Sequence, residues 1–203
     1  MALLDFLFPP RSDEAVVRGV SRDAFLALLA PVPVRAAHPE AIALLPFADV
    51  RVRAAIHEAK YHGSAAAFAL LAEALAEYLR DADLFDPSAA VLVPVPLGRA
   101  RRRERGYNQV EEVARRAAEI LGIPVDAELL ARTRETASQV ALERGAREEN
   151  VRGAFACGAR MPGAAHTYIL LDDVLTTGAT IRAAAGALAE AGAAYVTPVA
   201  LAH

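Results

Sequence analysis

The chain has 203 residues, of which 55% are hydrophobic and 23% charged, with a formal net charge of −3. That length supports one substantial core with an appendage, and the balance excludes a disordered or strongly basic chain, so net charge predicts no nucleic-acid partner. A single cysteine, Cys157, excludes an internal disulfide and a cysteine-rich zinc site, and no zinc is expected.

The opening MALLDFLFPPRSDE lacks a basic leading segment and breaks at Pro9-Pro10, so no export signal is read. Residues 1–48 read as an N-terminal arm and linker, with Leu3, Leu4, Phe6, Leu7 and Phe8 as an apolar cluster suited to core or dimer contact. A helix is expected over 22–30, and the prolines of 31–39 favour an extended connector or surface arm. Helices follow over 49–61 and 65–80 on apolar spacings of three and four, with Gly63 as a stop and Ser64 as a cap. His57 and His62 show no Glu or Cys at metal spacing and read as helix-surface or core residues. Lys60 is the sole lysine among plentiful arginines, a bias attributed with the alanine excess to genome base composition. Glu73 and Glu77 interrupt the alanine-rich run well short of a membrane span. No membrane insertion and a cytoplasmic location are expected.

From Ala89 the pattern alternates. Residues 89–95 form a short valine-rich run typical of a strand buried on both faces, and 108–121 an amphipathic helix ended by Gly122 and Pro124. Residues 132–152 are arginine-rich without a period and read as a long flexible loop. A strand at 169–171, a helix at 181–191 and a strand at 195–201 complete the series. The order implies an α/β fold, a mainly parallel twisted sheet flanked by helices, in a domain spanning 49–203 with its core from about residue 87.

Ligands gather at the carboxyl ends of parallel strands, where Asp172 and Asp173 are expected. Adjacent carboxylates there need hydroxyls, water or a cation, which suits a sugar diol or a hydrated Mg²⁺. After Val174 and Leu175 comes Thr176-Thr177-Gly178-Ala179-Thr180, leading into a helix whose backbone N–H groups and hydroxyls can hold a phosphate. Together they describe a ribose phosphate. The alternative is that Asp173 caps the helix and Thr-Thr-Gly is an ordinary turn.

The segment Ile169-Leu-Leu-Asp-Asp-Val-Leu-Thr-Thr-Gly-Ala-Thr180 resembles the phosphoribosyl pyrophosphate signature of type I phosphoribosyltransferases. Four further segments resemble the ComF (competence protein F, GntX-like) family within that superfamily: Lys60-Tyr-His-Gly63, Val93-Pro-Val-Pro96, Arg105-Gly-Tyr-Asn-Gln109, and Gln139, Arg147 and Asn150 with Val-Arg-Gly-Ala-Phe155. The resemblance implies that Asp172 and Asp173 hold the ribose hydroxyls, that 176–180 hold the 5′-phosphate, and that Pro96-Leu97-Gly98-Arg99 is the pyrophosphate loop. Arg99, Arg101, Arg102, Arg103 and Arg105 offer charge to a diphosphate, Arg105 foremost, or form a solvated basic patch or weak nucleic-acid contact. The stretch 132–150 resembles a hood loop, in which Gln139, Arg147 and Asn150 close the site or merely tie down a surface loop.

The resemblance implies Mg²⁺ with phosphoribosyl pyrophosphate, displacement of pyrophosphate by an unidentified acceptor, and no nucleophilic side chain. Two departures stand out: the N-terminal zinc-binding cysteines common in the family are missing, and Thr176 replaces the aspartate that 6-oxopurine salvage enzymes use. The competing expectation is a non-catalytic adaptor in DNA uptake and natural transformation, contacting single-stranded DNA or helicase and recombination partners. A homodimer is consistent with the apolar arm.

Overall fold

The computed structural model describes residues 11–34, 40–82, 86–133, 153–158 and 166–203. Helices α1 (Ser12–Gly19) and α2 (Arg22–Leu26) precede strands β1 (Val32–Val34) and β2 (Ala41–Leu45). Helices α3 (Val50–Tyr61) and α4 (Ala65–Asp81) lead to β3 (Ala90–Pro94), α5 (Arg99–Arg105) and α6 (Gln109–Leu121). Then come β4 (Leu130–Arg132), β5 (Phe155–Cys157), β6 (Thr167–Val174), α7 (Ala179–Glu190) and β7 (Tyr195–Ala202).

Five strands form a mostly parallel sheet in the order β1-β2-β7-β6-β3, with only β1 antiparallel to its neighbour. Along β6 the side chains alternate: Ile169 and Leu171 join one core, Tyr168 and Leu170 the other. A strand buried on both faces must be apolar throughout, which is why its first part reads as a continuous run. On one face lie α3, α4 and α6, packing Leu71, Leu75 and Val113. Ile181, Ala184, Ala185 and Leu188 of α7 cover the other, where small alanines let the helix approach the sheet.

Helices α3, α4 and α6 begin where the sequence places them. The side chains of Asp49, Ser64 and Asn108 accept hydrogen bonds from Arg51, Ala67 and Val110 N–H, satisfying first-turn donors. Helix α6 ends at Gly122, and α2 is shorter than expected, stopping at Leu26. Three elements depart from the sequence reading. Helix α1 was not expected. Ala41-Ile-Ala-Leu-Leu45, placed within the arm, is a buried strand paired in parallel with β7. Five residues are too short for periodicity to separate helix, strand and connector, so the vacant edge of β7 decides. The arginine-rich segment after Gly98 is helical and closes on Gly106.

Pro33 lies in β1, the edge strand, where its missing N–H costs no ladder bond. The loop expected over 132–152 starts at the last residue of β4, which pairs with β5 as an antiparallel ribbon, and its residues 134–152 lie outside the described residues. Gln139, Arg147 and Asn150 lie outside the described residues, as does the cluster from Leu3 to Phe8. Among the described residues no helix is long and apolar enough to cross a membrane.

Asp49 caps α3 and also receives Arg51 Nε at 3.0 Å and Nη2 at 2.7 Å, which hold its carboxyl pKa down to about 2. A carboxyl whose folded pKa is depressed adds stability above its unfolded value and loses it as pH falls through the folded one. Asp49→Ala should cost about 1 kcal/mol at pH 7 in urea unfolding. That difference should shrink as the pH approaches 2.

Candidate functional site

The carboxyl ends of β3 and β6 open into a cleft of about 440 Å³. One wall carries Asp172, Asp173, Val174, Thr176 and Thr180, and the turn after β3 contributes Pro96 and Leu97. Arg101 and Arg105 of α5, Gln109 of α6, Lys60 of α3 and Arg132 of β4 also line it. Segments far apart in sequence therefore converge on the two carboxylates.

Asp172 and Asp173 lie within β6, just before its last residue Val174, with Asp172 still in register with Ala200 of β7, rather than following the strand. Asp173 accepts Gln109 Nε2 at 2.6 Å and Lys60 Nζ at 2.9 Å on the same Oδ2, while its Oδ1 accepts the Val174 N–H. Asp172 Oδ1 accepts the Asp173 N–H at 2.9 Å. Burial, and then the neighbouring Asp173 charge, push the Asp172 pKa up to about 7, with Lys60 and Arg132 opposing. Asp172 still touches the cleft, yet desolvation by the surrounding protein is the larger cause of the rise, and the like charge of Asp173 adds to it.

Below the pair, Thr176, Gly178, Ala179 and Thr180 line a smaller hollow at the start of α7 with Leu175 and Asp172. Gly178 is the N-cap with φ 72°, a left-handed conformation that strains a side-chain-bearing residue. Thr177 is buried, its hydroxyl facing the Ala179 N–H at 3.4 Å, so it shapes the turn from within. Leu175 is buried in the α7-side core.

The arginines divide. Arg101 and Arg105 line the cleft, whereas Arg99, Arg102 and Arg103 are exposed, Arg102 standing 3.8 Å from Glu111. Gly98 caps α5, and Arg99 begins that helix, so the expected four-residue loop splits: its first half faces the cleft and its second half starts a helix.

Two segments brace the site. Arg105 Nη1 donates to Gln109 Oε1 at 2.9 Å, and its guanidinium lies 5.0 Å from the centre of the Tyr61 ring. Arg105, Gln109, Asp173 and Lys60 thus form a continuous polar chain. The Tyr107 hydroxyl donates to Ala59 O and accepts from Gly63 N–H, both at 2.8 Å. Gly63 has φ 60°, and a Cβ there would stand 3.5 Å from the Tyr107 ring, so glycine is required for conformation more than for space. Asn108 caps α6 and donates to Val95 O at 3.1 Å, tying the helix to the end of β3. In this way Lys-Tyr-His-Gly and Arg-Gly-Tyr-Asn-Gln lock to each other and to the carboxylates.

Sequence reasoning did not place Lys60, Gln109, Arg132 or Phe47 in the cleft. A signal for Lys60 was present: it is the one position in the chain where the basic residue is lysine. His57 and His62 are exposed, as a helix-surface role implies, but the expectation that no Glu lies at metal spacing needs correction. Glu58, between them, brings a carboxylate within 4.8 Å of both rings' nitrogens. Arg11 grips that buried carboxylate at 2.9 and 3.3 Å, and His57 Nδ1 lies 2.9 Å from Asp13, so this cluster joins α1 to α3 through an ion pair and a second polar contact.

Tyr107→Phe should cost about 1–2 kcal/mol in chemical unfolding, since two backbone groups lose one partner. A second test reads Asp172. The folded chain keeps the Asp172 proton up to about 7, while the unfolded chain releases it near 3.8. Stability therefore falls as pH rises through that window. Asp172→Asn should stabilise the protein at pH 8, on the order of 2 kcal/mol, and leave it unchanged at pH 3.5. Thermal unfolding across pH measures the difference.

No family model matches the chain. It is 35% identical over 105 residues to DNA utilization protein YhgH of Escherichia coli strain K12, covering 52% of this chain and 45% of that protein. The protein of that name from Salmonella typhi is also 35% identical over 105 residues, with the same coverage. Competence protein F of Haemophilus influenzae is 32% identical over 92 residues, 45% of this chain and 40% of that protein. The chain spans about half the length of these curated relatives, or somewhat less.

Proposed function

We propose that the cleft binds phosphoribosyl pyrophosphate with Mg²⁺ and that the protein is a phosphoribosyltransferase-type enzyme of type I fold, transferring ribose 5-phosphate to an acceptor. The observation that carries this reading is the presence of three complementary groups in one cleft: the Asp172–Asp173 pair, the helix start lined by Thr176 and Thr180, and the cationic Arg101 and Arg105. A ligand with a diol between a monophosphate and a diphosphate matches that set.

The residues fit a divalent cation on chemical grounds, because burial and like charge raise the Asp172 pKa and a cation would relieve both effects. Asp172 and Asp173 are the residues that would hold it, directly or through water. Mg²⁺ supplies charge neutralisation to the leaving diphosphate. The chain's own part is positioning: the carboxylates orient the ribose hydroxyls, and the α7 N–H groups and threonine hydroxyls hold the 5′-phosphate. Arg105, fixed by Gln109 and Tyr61, stabilises negative charge as it develops on the diphosphate. The β4–β5 ribbon carries Arg132 to the cleft, where its charge can add to that of Arg101 and Arg105.

A second reading, consistent with relatives named for DNA utilization and competence, is a DNA-uptake adaptor that binds single-stranded DNA or helicase and recombination partners. Its structural support is the exposed face of α5 bearing Arg99, Arg102 and Arg103, which the cleft does not use. In both readings the cellular context is DNA utilization or competence, in the cytoplasm.

Calorimetric titration of phosphoribosyl pyrophosphate with Mg²⁺ tests the first reading. Wild type should bind, and Asp172→Asn/Asp173→Asn should weaken binding at least tenfold, with ribose 5-phosphate binding more weakly than the diphosphate. Pyrophosphate release in an acceptor screen then identifies turnover. A folded wild type that binds no phosphoribosyl pyrophosphate, yet binds single-stranded DNA in a manner lost on replacing Arg99, Arg102 and Arg103, would establish the adaptor.

A further inference from the structure

Asp173 presents no idle oxygen to the cleft: Oδ2 receives both the Lys60 ammonium at 2.9 Å and Gln109 Nε2 at 2.6 Å, and Oδ1 receives the Val174 N–H. A cation approaching this carboxylate therefore meets the Lys60 positive charge already in place. Lys60 lies in the last turn of α3 and lines the cleft, with a fifth of its side chain exposed, so the ammonium can leave Asp173 without unfolding the helix. Residue type supports that freedom. An arginine would clamp the carboxylate with a planar fork, whereas an ammonium is a point charge on a flexible stem. Apart from five histidines, every other basic residue of this chain is arginine, and lysine stands only here.

Resting on the reading of the cleft as a magnesium and phosphoribosyl site, we propose that Lys60 is the resident counter-cation of Asp173, displaced when a divalent cation enters and then turned toward the anionic part of the ligand. The exchange breaks one ion pair and forms another, and no covalent bond changes. Lys60 keeps the adjacent carboxylates compatible with folding before ligand arrives. Once a divalent cation takes its place, the ammonium adds a positive charge for the diphosphate, so cation and anion assist each other's binding.

The test measures Mg²⁺ alone by calorimetry and Mn²⁺ by electron paramagnetic resonance, on wild type, Lys60→Met and Lys60→Arg, with circular dichroism verifying the fold. Lys60→Gln replaces the methionine variant if that one fails to fold. Removing the competing ammonium should tighten divalent-cation binding about tenfold, and Lys60→Arg should weaken it. Lys60→Met/Asp173→Asn should lose the gain, and phosphoribosyl pyrophosphate with Mg²⁺ should bind Lys60→Met about tenfold more weakly than wild type. Unchanged or weaker cation binding in folded Lys60→Met overturns the exchange, as does a gain that survives Asp173→Asn or the absence of cation binding in both proteins. Undiminished phosphoribosyl pyrophosphate binding by Lys60→Met overturns the turn toward the anion. If wild type binds no phosphoribosyl pyrophosphate while Lys60→Met still gains Mg²⁺ affinity, the ligand reading fails and the cation exchange stands.

Discussion

Two carboxylates side by side at the end of a strand buried on both faces impose the constraint around which the cleft is arranged. Like charges about 4 Å apart repel by about 4 kcal/mol at an effective dielectric near 20, and burial adds a desolvation cost. The fold answers with donors from separate elements: Lys60 from α3 and Gln109 from α6 on Asp173, and Arg132 from β4 near Asp172. Asp172 remains under-compensated, which raises its pKa and makes it the member of the pair most responsive to an incoming cation. A site that is electrostatically incomplete is one that a ligand can complete.

That arrangement explains why two short motifs share one region of the fold. Tyr107 bolts the end of α3 to the start of α6 through two backbone hydrogen bonds, and Asn108 secures α6 to β3. Gln109, set by those anchors, holds Asp173 with one end of its amide and Arg105 with the other. Disturbing any member should reach the carboxylates through contacts of known geometry. The motifs are thus as much supporting framework as binding surface, and their residues divide between the two tasks within a span of a few positions.

The same division separates the arginines of α5. A helix of seven residues with five arginines carries strong self-repulsion. Arg105 is relieved by Gln109 and the Tyr61 ring, and Arg102 stands near Glu111, while Arg99 and Arg103 are solvated. Charge on the inner side suits an anionic small molecule and charge on the outer side suits a polyanion. The two proposed functions therefore draw on opposite sides of one helix and are compatible in one molecule.

Local chemistry determined much of this protein from the sequence alone. Valine-rich continuity marked β3, apolar periodicity marked α3, α4 and α6, and Ser64 announced the start of α4, because caps and periods act within a few residues. The order of Asp172, Asp173, Thr176 and Thr180 before α7 marked a candidate site for the same reason. Only tertiary structure recruited Ala41–Leu45 into the sheet, since so short a run has no preference strong enough to outweigh the partner that β7 offers. It also decided which arginines face the cleft, placed Lys60 and Gln109 on Asp173, and raised the Asp172 pKa. Those properties arise from distances between segments more than 60 residues apart in the case of Gln109 and Asp173, and no local pattern encodes such distances.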